Sequence, residues 1–406
     1  MRCRAWIGSG SAAAMLIAWS AHDARAQTVA DVLTFLVTNQ SQSVRTGSIE
    51  RDRDAAQATS DTISRALLAN LATLPVTTSS SAFVYRLNPE LGTVERATET
   101  FGPFFVERAL TAGAHQASFG LTFQHHRFTA LDGANLRDGS LVTTANRFID
   151  QAAPFEVDRL TLDIDTDIAT LYGNVGVTDR MEVGFAAPMV ALRLNGLRVN
   201  TYTACRSVDN CEPERTFTQA RATATAMGLA DLVARTKYTL YDEEGAGLAA
   251  AVDVRLPTGR REDLLGAGTM SVKFAAIGSL ERGRVSSHAN AGATFGGLAR
   301  ELSYGGALAL AATSRLTLSG ELLGRWIDTS GHIIRSTVPH PKLTDVETIR
   351  LIPDASTLHA ISVVPGLKWN LTTTWVLATN VGIPLTHGGL TSPFTPFVGL
   401  DYAFGR

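Results

Sequence analysis

From residue 115 to the C-terminus, apolar and polar positions alternate with a period of two. In "QASFGLTFQ", Ala117, Phe119, Leu121 and Phe123 alternate with Ser118, Gly120, Thr122 and Gln124. In "DRLTLDIDTDI", Leu160, Leu162, Ile164 and Ile168 alternate with Thr161, Asp163, Asp165 and Asp167. The same beat runs through "GLAAAVDVRL" and "RLTLSGELLGRW". A helix repeats its faces every 3.6 residues or so, roughly, whereas a strand changes face at each step, so these segments are strands.

The connections are of two kinds. Tight turns fall at "VTDRM", "YDEEG", "ERGR", "ATSRL" and "LTTTW". Longer, mostly polar and Gly-rich links lie near 129–157, 194–218, 257–267, 297–303, 329–355 and 386–393. Tight turns at one edge and loops at the other are the pattern of an outer-membrane barrel, with the turns on the periplasmic side. The spacing predicts an all-β fold: an antiparallel up-and-down transmembrane β-barrel of about twelve strands, the first at 115–128 and the last at 393–404. An even number puts both ends of the barrel on the periplasmic side.

Upstream the period changes. "TVADVLTFLV" sets Val29, Val32, Leu33 and Leu36 on one helical stripe, and "RDRDAAQATSDTISRALLANLATL" does the same with Ile63, Leu67, Leu68 and Leu71. "PVTTSSS" then breaks the chain, and "GPFFVERAL" reads as a turn of helix or a plug segment. Residues 27–114 are therefore expected to be a helical or mixed region that plugs the lumen or sits in the periplasm, with 115–406 the barrel. Ahead of them, Arg2 and Arg4 precede a short apolar run and "ARA" precedes Gln27, the form of a cleaved signal peptide over 1–26.

Composition narrows the classes. A formal net charge of −2 gives no basic excess for a nucleic-acid partner. After residue 26 no apolar run is long enough for a helical span, so a membrane location requires a closed barrel. Cys205 and Cys211, in "CRSVDNC" on an outward loop, fit a disulfide formed in an oxidising compartment. There is no Gly-x-Ser-x-Gly elbow, phosphate loop or HExxH, and the histidines are scattered. No catalytic residue, metal or cofactor is expected, and the chain reads as a non-enzyme.

Alternation assigns faces. Phe119, Leu121, Phe123, Leu248, Phe274, Leu318 and Leu400 fall on the lipid side. Asp163 and Asp165 fall on the inward side, with a lumen-lining set of Asp231, Arg235, Lys237, Asp253, Arg255, Lys273, Glu321 and Arg325. Two readings stay open: a water-accessible lumen that selects a solute, or cross-strand charge pairs that fill a narrow barrel.

The chain finishes on "GLDYAF", in which Gly399, Tyr402 and Phe404 have the Gly-x-x-aromatic-x-aromatic spacing that resembles the terminal assembly signal of outer-membrane barrels. Gly405 and Arg406 follow it, and Phe397 stands where a polar residue is usual. This is expected to be the barrel-closing strand, with outer-membrane lipid and the barrel-assembly machinery as partners.

One segment carries a family likeness. "GLADLVARTKYTLYDEEGAGLAAAVDVRLPTGRREDLLGAG", with its "LPTG…LGAG" core, resembles the meta-pathway phenol-degradation family of outer-membrane proteins, which is grouped with long-chain fatty-acid and aromatic-hydrocarbon channels. The resemblance runs over roughly 115–404. It implies an outer-membrane channel for small hydrophobic or aromatic molecules; the alternative is a non-transporting structural or surface barrel.

Overall fold

The computed structural model describes residues 27–37, 61–69, 71, 85–88, 93–96 and 98–404, apart from 204, 208–209, 244, 329–332, 341–342, 355 and 373. The expected signal peptide, the side chains of Cys205 and Cys211, and that of Phe404 lie outside the described residues.

Twelve strands close a barrel. They are β1 Ala117–Phe128, β2 Glu156–Gly176, β3 Met181–Tyr202, β4 Arg215–Leu229 continuing as Leu232–Glu243, β5 Ala246–Leu256 and β6 Ser271–Arg282. After these come β7 Val285–Gly296, β8 Arg300–Thr313, β9 Leu316–Asp328, β10 Leu358–Asn370, β11 Trp375–Pro384 and β12 Thr395–Phe404. Each pairs antiparallel with the next. β12 returns to β1, with Val398 opposite Phe123 and Tyr402 opposite Phe119, so no strand edge is left open in the membrane-crossing zone.

The outside of this cylinder is apolar. Phe119, Leu121, Phe123, Phe185, Leu248, Phe274, Leu308, Leu318 and Val398 are all exposed. A soluble protein does not expose so continuous an apolar surface. Trp375 packs at a tilt against Tyr402, 4.7 Å between ring centres, close to the tight-turn end where aromatic residues meet headgroups. Among the described residues no helix is long and apolar enough to cross a membrane, so the strands do the crossing. The protein is a barrel of the Gram-negative outer membrane.

The wall is not level. β2 and β3 have 21 and 22 residues, about twice the roughly 9–11 that cross a bilayer, and their upper halves stand above the lipid. There the polarity of the two faces reverses. Leu160, Leu162, Ile164 and Ile168 point inward and are buried. Asp163, Asp165 and Asp167 stand on the outer face beside the same line of residues as exposed Leu171. Arg137 pairs with Asp163, while Asp167 meets His125 at 2.7 Å and Arg193 at 2.8 Å. The inward placement expected for Asp163 and Asp165 is thus corrected. Above the lipid the outside faces water and the inside faces protein, so the period survives while its polarity inverts.

What the inverted face packs against is the N-terminal region. Helix α1 (Val29–Val37) and helix α2 (61–69) bring Val32, Leu33, Leu36, Ile63 and Leu67 into one core with the inward apolar residues of β2, β3 and β4. Thr28 and Asp31 cap α1 reciprocally: Asp31 N–H donates to Thr28 Oγ1 at 3.1 Å, and Thr28 N–H donates to the Asp31 carboxylate at 3.0 Å. Close approach of the helix requires Gly196 on β3, where an added Cβ would lie 2.1 Å from Leu36 Cδ1.

Above the barrel, a strand at Leu141–Phe148 pairs with β2, and two strands from the β9–β10 connection, Val346–Pro353 and Ile333–Pro339, extend that sheet. Asp132 ties three loops together, its carboxylate accepting from Ile333 N–H and from Gly389 N–H at 2.7 Å each. On the other side β7 and β8 are joined by residues 297–299 alone, the lowest part of the rim.

Candidate functional site

Residues 98–114 form a strap inside the lower barrel. It starts near the turn end, where Thr100 Oγ1 donates to Ser286 Oγ at 2.8 Å and Phe101 N–H donates to Thr317 Oγ1 at 3.2 Å. It rises until Val106 lies beside Gly305 on β8, where an added Cβ would come within 2.9 Å of Val106 Cγ2. Then it descends, with Ala109 N–H donating to Ser279 Oγ at 2.8 Å and Ala112 N–H to the Glu182 carboxylate at 2.8 Å. From there the chain enters β1.

Two buried side chains hold the strap's apex. The Glu321 carboxylate accepts from the backbone N–H groups of Phe104, Phe105 and Val106, the last two at 2.8 and 2.7 Å. Lys368 Nζ donates to the carbonyls of Gly102 and Pro103. An irregular strap leaves backbone groups that no ladder satisfies, and a buried charge can satisfy several at once. Phe104 and Phe105 pack on Phe397, with Phe105 at 4.9 Å between ring centres. Phe397 is therefore an inward residue of β12 whose apolar side chain seats the strap, which accounts for its departure from the usual polar residue.

Above the strap lies a cavity of about 350 Å³. Phe105, Val106 and Glu107 form part of its floor. Its charged wall comes from β4, β5 and β6, with Arg235, Asp253, Arg255 and Lys273. Six strands round the barrel, the opposite wall sets Ile361, Val364 and Phe397 among the polar side chains of His126, Ser362, Ser392 and Thr395. Glu301 and Arg325, 3.9 Å apart, lie between the two.

The expected lumen-lining residues separate into three groups. Arg235, Asp253, Arg255, Lys273 and Arg325 line the cavity. Lys237 and Glu321 point inward but are occupied by the strap, Lys237 donating to Leu110 carbonyl oxygen at 2.9 Å and lying 3.6 Å from Glu182. Asp231 folds a loop: it accepts from Gly259 N–H at 3.0 Å and Ala267 N–H at 2.8 Å, at the break between the two halves of β4. This draws the "LPTG…LGAG" segment inward and buries Leu264 and Leu265 in the helix-packed core. Arg235 is instead shared between Glu107 and Asp253, the latter at 3.2 Å.

Glu107 and Phe105 are site residues that the sequence pattern does not reach. Glu107 meets Arg235 across 128 positions of chain, and no periodicity encodes such a contact. Ser279 and His288 also face each other across β6 and β7, at 2.9 Å, although the sequence only shows His288 beside Ser286 and Ser287. Among the described residues no group of His, Cys, Asp and Glu is arranged to hold a metal ion.

No family model and no curated protein matches the chain. Solved structures do. An outer-membrane channel from Pseudomonas putida F1 is similar with a TM-score of 0.43 at 14% identity, covering 73% of this chain and 98% of that one. The P. putida toluene transporter TodX gives 0.34 at 9% identity, covering 76% and 99%. The outer-membrane protease OmpT from Escherichia coli gives 0.27 at 11% identity, covering 73% and 99%. The expectation that the chain is a non-enzyme is corrected on this finding: a protease stands among the similar barrels, and the architecture leaves enzyme status open.

Proposed function

We propose that this barrel is an outer-membrane channel for small hydrophobic or aromatic molecules, with residues 27–114 as its plug and 115–406 as the conducting barrel. The observation that carries this reading is the cavity of about 350 Å³ above the strap, with charged groups on one wall and Val364 and Phe397 among uncharged polar groups on the other. Pockets near the lower end of the usual range of roughly 300–1,000 Å³ suit small ligands. The resemblance to the phenol-degradation family supports the same solute class.

In this reading the strap is the closed gate, and passage requires the Glu321 and Lys368 contacts to release it. Arg235, Asp253, Arg255, Lys273 and Arg325 line the path. Residues 1–26 direct export and are removed, Cys205 and Cys211 close a disulfide in the outward loop, and Gly399, Tyr402 and Phe404 present the final strand to the barrel-assembly machinery.

A second reading has an observation of its own. The strap fills the lower lumen with many hydrogen bonds, as it would in a structural or surface barrel that transports nothing. Liposome swelling with benzyl alcohol separates the two. The channel reading expects measurable entry through the intact protein and faster entry when 98–109 is replaced by a short Gly-Ser linker. Swelling no faster than protein-free liposomes, for both proteins, sinks it.

A further inference from the structure

We propose that the cavity above the strap is a binding site for a small monocarboxylate with an apolar, ring-sized body, its carboxylate held by Lys273. The inference rests on the channel reading, because it names the chemistry of the solute that this lumen selects.

The cations of the cavity wall are not equivalent. Arg235 is held by Glu107 and by Asp253, the latter at 3.2 Å. Arg325 has Glu301 at 3.9 Å. Arg255 lies where the main cavity meets a smaller one of about 30 Å³ lined by Asp231. Lys273 is different: among the described residues it has neither an ion pair nor a hydrogen bond. Its register partner on β5 is Asp253, whose carboxylate is already engaged by Arg235.

The surroundings of Lys273 leave room for its stem. Gly292 sits next to it on β7, and an added Cβ there would lie 2.8 Å from Lys273 Cε and 3.1 Å from Ser303 Oγ. The lysine stem thus occupies the space a side chain at 292 would fill, and it runs toward the Ser303 hydroxyl. Ser303 and Thr294, the latter in register with Lys273 on β7, are among the neutral polar residues of this stretch of the wall.

β6 and β12 are six strands apart in a twelve-strand ring, so Lys273 looks across the lumen at Phe397 and its neighbours. An unpaired cation on one wall, and on the other aromatic and aliphatic side chains flanked by the uncharged hydroxyls of Ser392 and Thr395 and by His126, match a molecule charged at one end only. A neutral hydrocarbon leaves Lys273 without a partner, and a dianion meets Glu301 and Asp253. A monocarboxylate with a ring satisfies both walls, because a charge-assisted hydrogen bond is stronger than a neutral one and the ring desolvates against Phe397.

The test is isothermal titration of the full-length protein in detergent with benzoate and with benzyl alcohol, which has nearly the same shape and no charge. Benzoate is expected to bind about tenfold more tightly than benzyl alcohol, the scale of one partly screened ion pair. Lys273→Met should remove that preference and Lys273→Arg should keep it. Equal affinity for the two probes in the unsubstituted protein overturns the proposal, and so does a preference that survives Lys273→Met. The first comparison needs no variant, so it decides the matter even where Lys273→Met does not fold. Benzoate binding by a protein that passes no solute removes the channel reading and leaves this site; solute passage without any benzoate preference removes the site and leaves the channel.

Discussion

On the channel reading, Glu321 is a residue that holds the gate closed. Its carboxylate accepts from three consecutive backbone N–H groups, and it is almost fully buried. Glu321→Ala leaves those donors and Lys368 without it, a loss of about 3–5 kcal/mol for a buried charge partner. The expected outcome is a strap that leaves the lumen, read as faster liposome swelling by Glu321→Ala than by the unsubstituted barrel. Glu321→Gln keeps one acceptor oxygen and should fall between them. Unchanged swelling in Glu321→Ala would show that the strap is not the barrier. Asp231 makes a parallel case at the break in β4. Asp231→Ala removes the acceptor for Gly259 and Ala267, at about 1–3 kcal/mol for two orphaned donors. Arg260 and Arg261 are already exposed, and freeing their loop should speed tryptic cleavage there; resistance equal to that of the unsubstituted protein would refute the role.

At the scale of the element, β2 shows what alternation does and does not encode. A period of two identifies a strand without saying which face is wet. In the lower half of β2 the outer line of residues carries Leu171; in the upper half the same line carries Asp163, Asp165 and Asp167. Nothing in "DRLTLDIDTDI" marks the height at which lipid gives way to water outside and to helices inside, so the twelve strands were legible and the inversion was not. The chemistry of the site was legible in the same partial way. Inward charge on β4, β5 and β6 follows from the pattern. Which of those charges stays available depends on the strap, and its contacts bridge distant parts of the chain. The inversion predicts unequal effects from substitutions one residue apart. Ile164→Asp buries an unpaired carboxylate in the helix-packed core and should destabilise by several kcal/mol, roughly. Asp163→Leu changes an outward position and should stay within about 1 kcal/mol. Heat-modifiability on semi-native gels checks both, and equal unfolding temperatures for the two variants would contradict the assignment.

For the whole molecule, closure rests on the register between β12 and β1. A chain truncated before Gly399 loses the partners of Phe119, Leu121 and Thr122, and β1 becomes an open edge in lipid. Truncation of 399–406 is expected to abolish insertion, measured as the loss of folded barrel from outer-membrane fractions. A truncated chain that inserts normally would mean that the final strand is dispensable.

The uneven rim gives the molecule a front and a back. The tall side is built by β2, β3, the upper half of β4 and the sheet added by the loops, and the low side by the three residues that join β7 to β8. Gly296, Gly297 and Leu298 on that low side belong to the cavity's own lining. On the channel reading proposed above, the shortest way to the cavity therefore comes from one compass direction. If the barrel conducts in this way, a compound gathered as a film at the membrane surface would arrive at a rate set by its density in that film rather than in the surrounding volume.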